Sequence, residues 1–395
     1  MKNFIFISPD FPANYYKFCR ELKNYGFNVL AIGDCPWDRL SDDVKENVNE
    51  YYWVHSLENY DEVYRAVAFF IFKYGKIDYL ESNNEYWLEH DAALRSAFGI
   101  ASGFKNSDVK KIRYKSKMKK YYQKAGVKTA KYCIVKTLKN CQKLIDEVGY
   151  PVIVKPDNGI GAAATYKISN EQELVNFLET KPEIPYIMEE YVEAEVNSYD
   201  AIIDAKGNPV FETGNITPNS LMDVVNESGN CMYYIVNELA PDVADAGRRT
   251  VKAFNVKNRF IHFEFFRLTK DQRIGKKGEV VALEVNMRPA GGFTPDMMNF
   301  ANSTDVYKIW ADTIANGKTD ITTGEKFYCA YAGRRDGKNF VLCDDAVKIE
   351  YADNITMVER IPDVLSNTMG NTMFVAKFKT KSEMDNFYKE VLKTR

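Results

Sequence analysis

In the stretch VALEVNMRPAGG, residues 281–292, the polar residues Glu284, Asn286 and Arg288 recur at every second position. A β-strand sends alternate side chains to opposite faces, so the acid, the amide and the guanidinium project together while Val281, Leu283, Val285 and Met287 face the other way. Upstream, RFIHFEFFRL (259–268) repeats the pattern, with His262 and Glu264 on one face and Ile261, Phe263 and Phe265 on the other. The intervening TKDQRIGKKGE is polar, contains Gly275 and Gly278, and reads as a hairpin connection. Centred near Ile274, the hairpin sets Glu264 opposite Glu284 and His262 opposite Asn286. Directly opposed Cβ atoms lie roughly 5 Å apart, where two like charges destabilise a sheet unless a third charge compensates. Two carboxylates and an amide oxygen are hard ligands that favour Mg²⁺ or Mn²⁺, and magnesium keeps its other positions for water and substrate phosphate. The pattern therefore points to nucleotide chemistry, against the plainer reading of a solvated hairpin face. Arg288 suits a planar carboxylate or a phosphate. His262 reads as a satisfied hairpin histidine rather than a substrate contact.

A bound nucleotide needs cations for its phosphates and a slot for its base. Lys155 ends the apolar strand PVIVK, and the loop behind it, Asp157 to Thr165, carries Gly159 and Gly161 and then three alanines. Small residues let backbone N–H groups approach phosphate oxygens. The GxxxxGK[ST] spacing of a P-loop is absent, as is a GxGxxG fingerprint. YIMEEYVEAE passes from an apolar strand into an acidic turn, where extended backbone can pair with an adenine edge and Glu195 can accept from ribose hydroxyls; an exposed acidic turn is the alternative.

These residues need a frame. From Asn3 to about Gly103 strand and helix alternate, which predicts an open parallel sheet with flanking helices and makes Ser8–Phe11 and Glu81–Glu85 candidate site loops. A basic helix, DVKKIRYKSKMKKYYQKAGV, follows and stops at Gly126; its spacing reads as a solvated helix rather than a nucleic-acid contact. Helices are predicted over Leu138–Val148, Asn170–Thr180, Asp305–Ala315 and Lys381–Lys393. With 395 residues, 45% of them hydrophobic and 27% charged, the chain has the composition of a globular protein with more than one lobe. A formal net charge of -2 gives no general bias toward nucleic acid or anionic membrane. The seven cysteines are scattered without a CxxC pair, and the three histidines are too few for a histidine-rich metal centre. The first residues read as a strand rather than a signal segment, no window reaches the roughly 20 apolar residues of a membrane span, and a cytoplasmic location is expected.

In order, the lysine helix, the strand-lysine with its small-residue loop, the apolar-to-acidic turn and the Glu hairpin ending in EVNMR resemble the ATP-grasp superfamily across about Lys110 to Gly317. The E-x-N-x-R strand with its upstream Glu is the specific part. The resemblance implies an α/β (α+β) fold: a Rossmann-like N-terminal domain (1–105), a lid subdomain with linker helix (106–190), a large subdomain with the metal hairpin (191–320) and a C-terminal α/β extension (321–395). By position, Lys115, eleven residues before Gly126, and Lys155 match the two phosphate lysines. Glu189, Glu190 and Val192 match the adenine hinge, Glu195 the ribose ligand, and Gly159 and Gly161 the phosphate loop. Glu264, Glu284 and Asn286 match the magnesium ligands, and Arg288 the arginine that steadies an acyl phosphate or substrate carboxylate. MRPAGG running into FTPDMM looks most like the carboxylate–amine ligases that act on amino acids or small acids. Two features depart from the family: alanines stand where many relatives have glycine, and the hairpin connection is long. The implied cofactors are ATP and Mg²⁺ (or Mn²⁺), the partners small-molecule carboxylate and amine substrates, and a homodimer is common in the family. A carboxylase working through carboxyphosphate and a non-catalytic nucleotide-binding regulator are the alternatives. Substrate contacts are expected near Glu81–Trp87, Asn215–Asn230, Arg288–Met298 and at Arg334 and Arg335.

Overall fold

The apolar runs FIFI and VLAIG form two adjacent parallel strands, β1 (Asn3–Ile7) and β2 (Asn28–Gly33), and β3 (Glu50–Trp53) and β4 (Tyr79–Glu81) complete a parallel sheet in the order β3-β2-β1-β4. The computed structural model that shows this describes residues 1–159, 164–218 and 230–395. Strands buried on both faces read as continuous apolar runs rather than alternating ones. Phe18 and Leu22 of the helix Tyr16–Asn24 cover one face, and Val63, Val67 and Phe70 of the helix Tyr60–Tyr74 cover the other.

A second sheet is antiparallel, in the order β5-β8-β6-β7, and comprises β5 (Tyr132–Ile134), β6 (Val152–Pro156), β7 (Tyr166–Ile168) and β8 (Tyr186–Glu190). Leu144, Ile145, Leu174 and Phe177 from the helices Leu138–Val148 and Glu171–Thr180 pack on it.

The third sheet has nine strands among the described residues. Six are β9 (Ala194–Ile203), β10 (Pro209–Thr213), β11 (Asn215–Thr217), β12 (Cys231–Ile235), β13 (Arg259–Leu268) and β14 (Val280–Asn286). β15 (Tyr328–Arg334), β16 (Ile355–Arg360) and β17 (Thr372–Phe378) extend the same sheet through β12 pairing with β15, in the order β14-β13-β9-β11-β12-β15-β17-β16 with β10 on β9. The helix Pro241–Phe254 lies so close to β9 that a Cβ at Gly247 would stand 2.2 Å from the Tyr199 ring.

Buried polar contacts lock the parallel sheet and its helices onto this nine-stranded sheet. Asn14 Nδ2 donates to Asp296 at 2.7 Å, and Lys17 pairs with the same carboxylate at 2.6 Å. Arg259 is 2% exposed; its Nη1 donates to Met287 O at 2.5 Å, and it pairs with Glu81, which also takes Arg95 at 2.9 Å.

The basic segment differs from its expected form. It is two helices, Asn106–Arg113 and Lys115–Lys124, with Tyr114 extended between them. Asp157 makes the second start: its backbone carbonyl accepts from Lys115 N at 2.9 Å, and its carboxylate accepts from Ser116 N and Oγ, each at 2.7 Å. A side-chain oxygen on the free N–H groups of a first turn stabilises a helix start. Nor is the helix simply solvated, since Lys115, Met118, Lys119 and Tyr122 are buried. None of the described helices is long and apolar enough to cross a membrane.

Candidate nucleotide and metal site

The hairpin adopts the register read from its sequence: Glu264 pairs with Glu284 and His262 with Asn286. One expectation fails beyond that point. The register shifts between Glu264 and Phe265, which pairs with Ala282, so Leu283 is the extra residue of a bulge. A bulge reverses the alternation that follows it. Ala282 therefore joins Val285 in the core with Phe263 and Phe265, whereas Val281 turns to the face of Glu284 and packs with Leu268, Val192 and Ala130. The polar face of the hairpin thus continues into an apolar cluster.

Three lysines converge on the carboxylates. Lys115 Nζ lies 3.2 Å from Glu284 Oε2 and donates to Gly159 O at 2.9 Å. Lys155 Nζ lies 2.7 Å from Glu189 Oε2, and Lys119, which the sequence reading missed, pairs with the other Glu189 oxygen. Burial disfavours the charge on Glu189, but the two ammonium groups outweigh it and hold the carboxyl at about 2. Burial likewise opposes ionisation of Glu284, and Lys115 and Lys155 override it to hold its pKa below the ordinary value. Lys155 is lowered by burial but raised more by Glu189 and Glu284, so it stays charged, whereas burial prevails at Lys119 and lowers it. Because Asp157 ties the start of the Lys115 helix to the end of β6, the lysines from both elements are set by one joint.

His262 is satisfied, as its sequence position suggests. Its Nδ1 lies 2.7 Å from Asp200 and its Nε2 3.1 Å from Glu264; burial alone would lower its pKa, but the two carboxylates raise it to about 9. In neutral solution both ring nitrogens therefore donate.

The loop between β4 and the helix Leu88–Ala97 supplies Glu85. One of its oxygens accepts from Arg288 Nη2 at 2.7 Å and the other from Arg113 Nη1 at 3.1 Å. With its amide oriented to satisfy its neighbours, Asn286 also donates to Glu85, at 3.1 and 2.9 Å, which turns its carbonyl oxygen the other way. Arg113 and Glu89 were not singled out from sequence; Glu89 accepts from Arg113 at 3.3 Å and from Asn158 at 2.9 Å. Glu85 belongs to the predicted site loop Glu81–Glu85, whereas Glu81 is spent on Arg95 and Arg259.

Other predicted residues lie apart from the lysine–carboxylate cluster in their side-chain bonds. Glu190 accepts from Lys131 N at 2.8 Å and pairs with Arg273, and Glu195 accepts from Asn197 at 3.1 Å. Residues 160–163, Gly161 among them, of the loop 157–165 and residues 219–229 of the stretch 215–230 lie outside the described residues. Arg334 does not reach the site: it is buried, donates to Val391 O at 2.9 Å and pairs with Asp344 at 2.7 Å, with Phe340 and Phe374 against its guanidinium. Arg335 donates to Ser366 O at 3.2 Å and Asn367 O at 2.6 Å.

The donor set fits a hard divalent cation: two opposed carboxylates and an amide oxygen are oxygen donors, and the one imidazole recorded against them among the described residues, that of His262, is held between Asp200 and Glu264. Residues 148–296 match the ATP-grasp domain family. Among similar proteins, an alanine–anticapsin ligase of Bacillus subtilis is 24% identical over 324 residues, covering 75% of this chain and 67% of that one. The L-amino acid ligase from Bacillus licheniformis superimposes with a TM-score of 0.74 at 15% identity, over 99% of this chain and 96% of that one. The N5-carboxyaminoimidazole synthetase from Staphylococcus aureus complexed with ADP gives 0.70 at 13% identity, over 98% and 96%. The fold of these solved structures is thus shared over nearly the whole chain.

Proposed function

We propose that this protein is an ATP-dependent ligase that joins the carboxylate of an amino acid or other small acid to an amine, releasing ADP and phosphate. The observation that carries the reading is the meeting of Lys115 with Glu284, which stands opposite Glu264, and of Lys155 with Glu189, with Arg288 two residues beyond Asn286. The substrate carboxylate attacks the γ-phosphorus and ADP leaves; the amine then attacks the acyl carbon of the acyl phosphate, expels phosphate and loses a proton. Phosphoryl transfer of this type asks a protein mainly for positioning and charge neutralisation. Lys115 and Lys155 would hold phosphate oxygens, and Glu189 orients Lys155 and Lys119. Val192, Leu268 and Val281 would receive the flat base, with the backbone around Glu189–Glu190 pairing its edge. Arg288 would bind the carboxylate or acyl phosphate, steadied by Glu85. Glu264, Glu284 and Asn286 would hold Mg²⁺, which when bound offsets charge on the phosphates. No side-chain nucleophile is required.

The first experiment is ADP release from MgATP with pools of amino acids and small carboxylic acids, followed by mass spectrometry, with Glu284→Gln as control. An amide-linked product appearing with ADP supports the ligase. ADP release that depends on bicarbonate overturns it in favour of a carboxylase, and ATP binding without turnover in any pool points to a regulator.

A further inference from the structure

The polar connection between β13 and β14 is built rather than slack. Gln272 N donates to Gly275 O at 2.8 Å and Gly275 N to Gln272 O at 3.1 Å, which closes a tight turn, and Asp271 accepts from Lys277 N at 2.9 Å. The turn folds onto residues 190–193, the link from the end of β8 to the start of β9. Arg273 pairs with Glu190, and Lys270 pairs with Glu193 at 2.6 Å. Gln272 takes both backbone groups of Glu193: its Oε1 accepts from Glu193 N at 2.9 Å, and its Nε2 donates to Glu193 O at 2.8 Å. Thr269 adds its N at 3.3 Å and its Oγ1 at 3.1 Å on the same carbonyl. β13 pairs with β9 as far as Leu268 opposite Ala194, so the Gln272 amide prolongs that ladder by one rung. Ile274 of the same turn packs on the cluster of Val192, Leu268 and Val281.

We propose, resting on the nucleotide reading above, that Gln272 is a positioning residue for recognition of the base. The link is clamped at both ends, at Glu190 by Arg273 and Lys131 N and at Glu193 by Gln272, which holds Tyr191 and Val192 between them in one conformation. The N–H and C=O of a trans peptide point opposite ways, so with Glu193 N–H bound to Gln272 the Val192 carbonyl faces away from the turn. The consequence is selectivity. The Watson–Crick edge of adenine offers a donor and then an acceptor, and that of guanine offers them in the reverse order. A backbone free to turn its peptide planes can answer either edge, whereas a clamped one presents a single order and leaves polar groups unpaired against the other base. Gln272 touches neither base nor phosphate in this account and acts through residues 190–193.

The test is calorimetric titration of the intact protein with adenylyl imidodiphosphate, guanylyl imidodiphosphate and tripolyphosphate in the presence of Mg²⁺. Wild type is compared with Gln272→Ala, which removes both bonds to Glu193, and with Gln272→Glu, which keeps the acceptor and loses the donor. Expected are a wild-type preference for the adenine nucleotide, a fall in that preference of about tenfold in Gln272→Ala, a smaller fall in Gln272→Glu, and tripolyphosphate affinity unchanged in both. A preference retained in both variants, an equal loss for all three ligands, or a wild type that binds the two nucleotides alike would each overturn the role of Gln272 while leaving the nucleotide site standing. Failure of the wild type to bind either nucleotide would overturn the nucleotide reading and this role together.

Discussion

Replacing Glu189 by Gln removes the carboxylate on which Lys119 and Lys155 converge while keeping the side chain's shape. Its folded pKa of about 2 lies below the ordinary 4.5, so the ionised form is favoured by the fold. A group depressed in this way contributes stability that is complete above its unfolded pKa and is lost as pH falls through its folded one. At about 1.4 kcal/mol per unit, the shift is worth about 3 kcal/mol at pH 7 and about 1 kcal/mol at pH 3. Urea unfolding of wild type and Glu189→Gln, followed by circular dichroism between pH 7 and pH 3, should therefore show a gap that narrows by about 2 kcal/mol. The two buried lysines left without their anion add to the gap at neutral pH. A gap that stays constant across this range would refute the electrostatic account of Glu189 and leave it a packing residue.

Three further outcomes are expected. Glu284→Gln should keep the melting profile of the wild type within a few degrees and lower Mg²⁺-dependent ADP formation by about 100-fold or more, as loss of one preorganised charged ligand does elsewhere; turnover at the wild-type rate would sink the metal assignment. Glu85→Gln frees Arg288 and Arg113 from a shared anion, so steady-state kinetics should show KM for the acid substrate changing more than KM for ATP; equal changes would place Glu85 outside substrate binding. Gly247→Ala drives a methyl group into the Tyr199 ring and should destabilise the protein by about 1–3 kcal/mol in thermal or denaturant melts without altering nucleotide affinity.

The hairpin was legible because strand alternation is a two-residue code, and Glu284, Asn286 and His262 stand on the right side of it. The bulge was not, since nothing in VALEV distinguishes an extra residue from a regular one, and it moved Val281 into the cluster with Leu268. Lys119 was hidden in a run of lysines, although a signal existed: Lys115, Met118, Lys119 and Tyr122 form one stripe at helical spacing, with two apolar members marking the inward face. Asp157 could not be found that way, because its role as the start of a helix 41 positions earlier is a contact across the fold. Glu81 and Glu85 share a loop and a residue type, and only the guanidinium groups that packing brings to each decide which one reaches Arg288. Arg334 misled for the reverse reason: an arginine at a strand end looks available until its stacking on Phe340 and Phe374 is seen.

The junction of β12 with β15 bears on how the polypeptide is made. During synthesis β12 emerges early, finds β11 on one side, and leaves its other edge bare until Tyr328–Arg334 leaves the ribosome. An unpaired strand edge is a template for pairing with another chain. Nascent chains stalled or truncated before Tyr328 should therefore be the ones that demand chaperone protection.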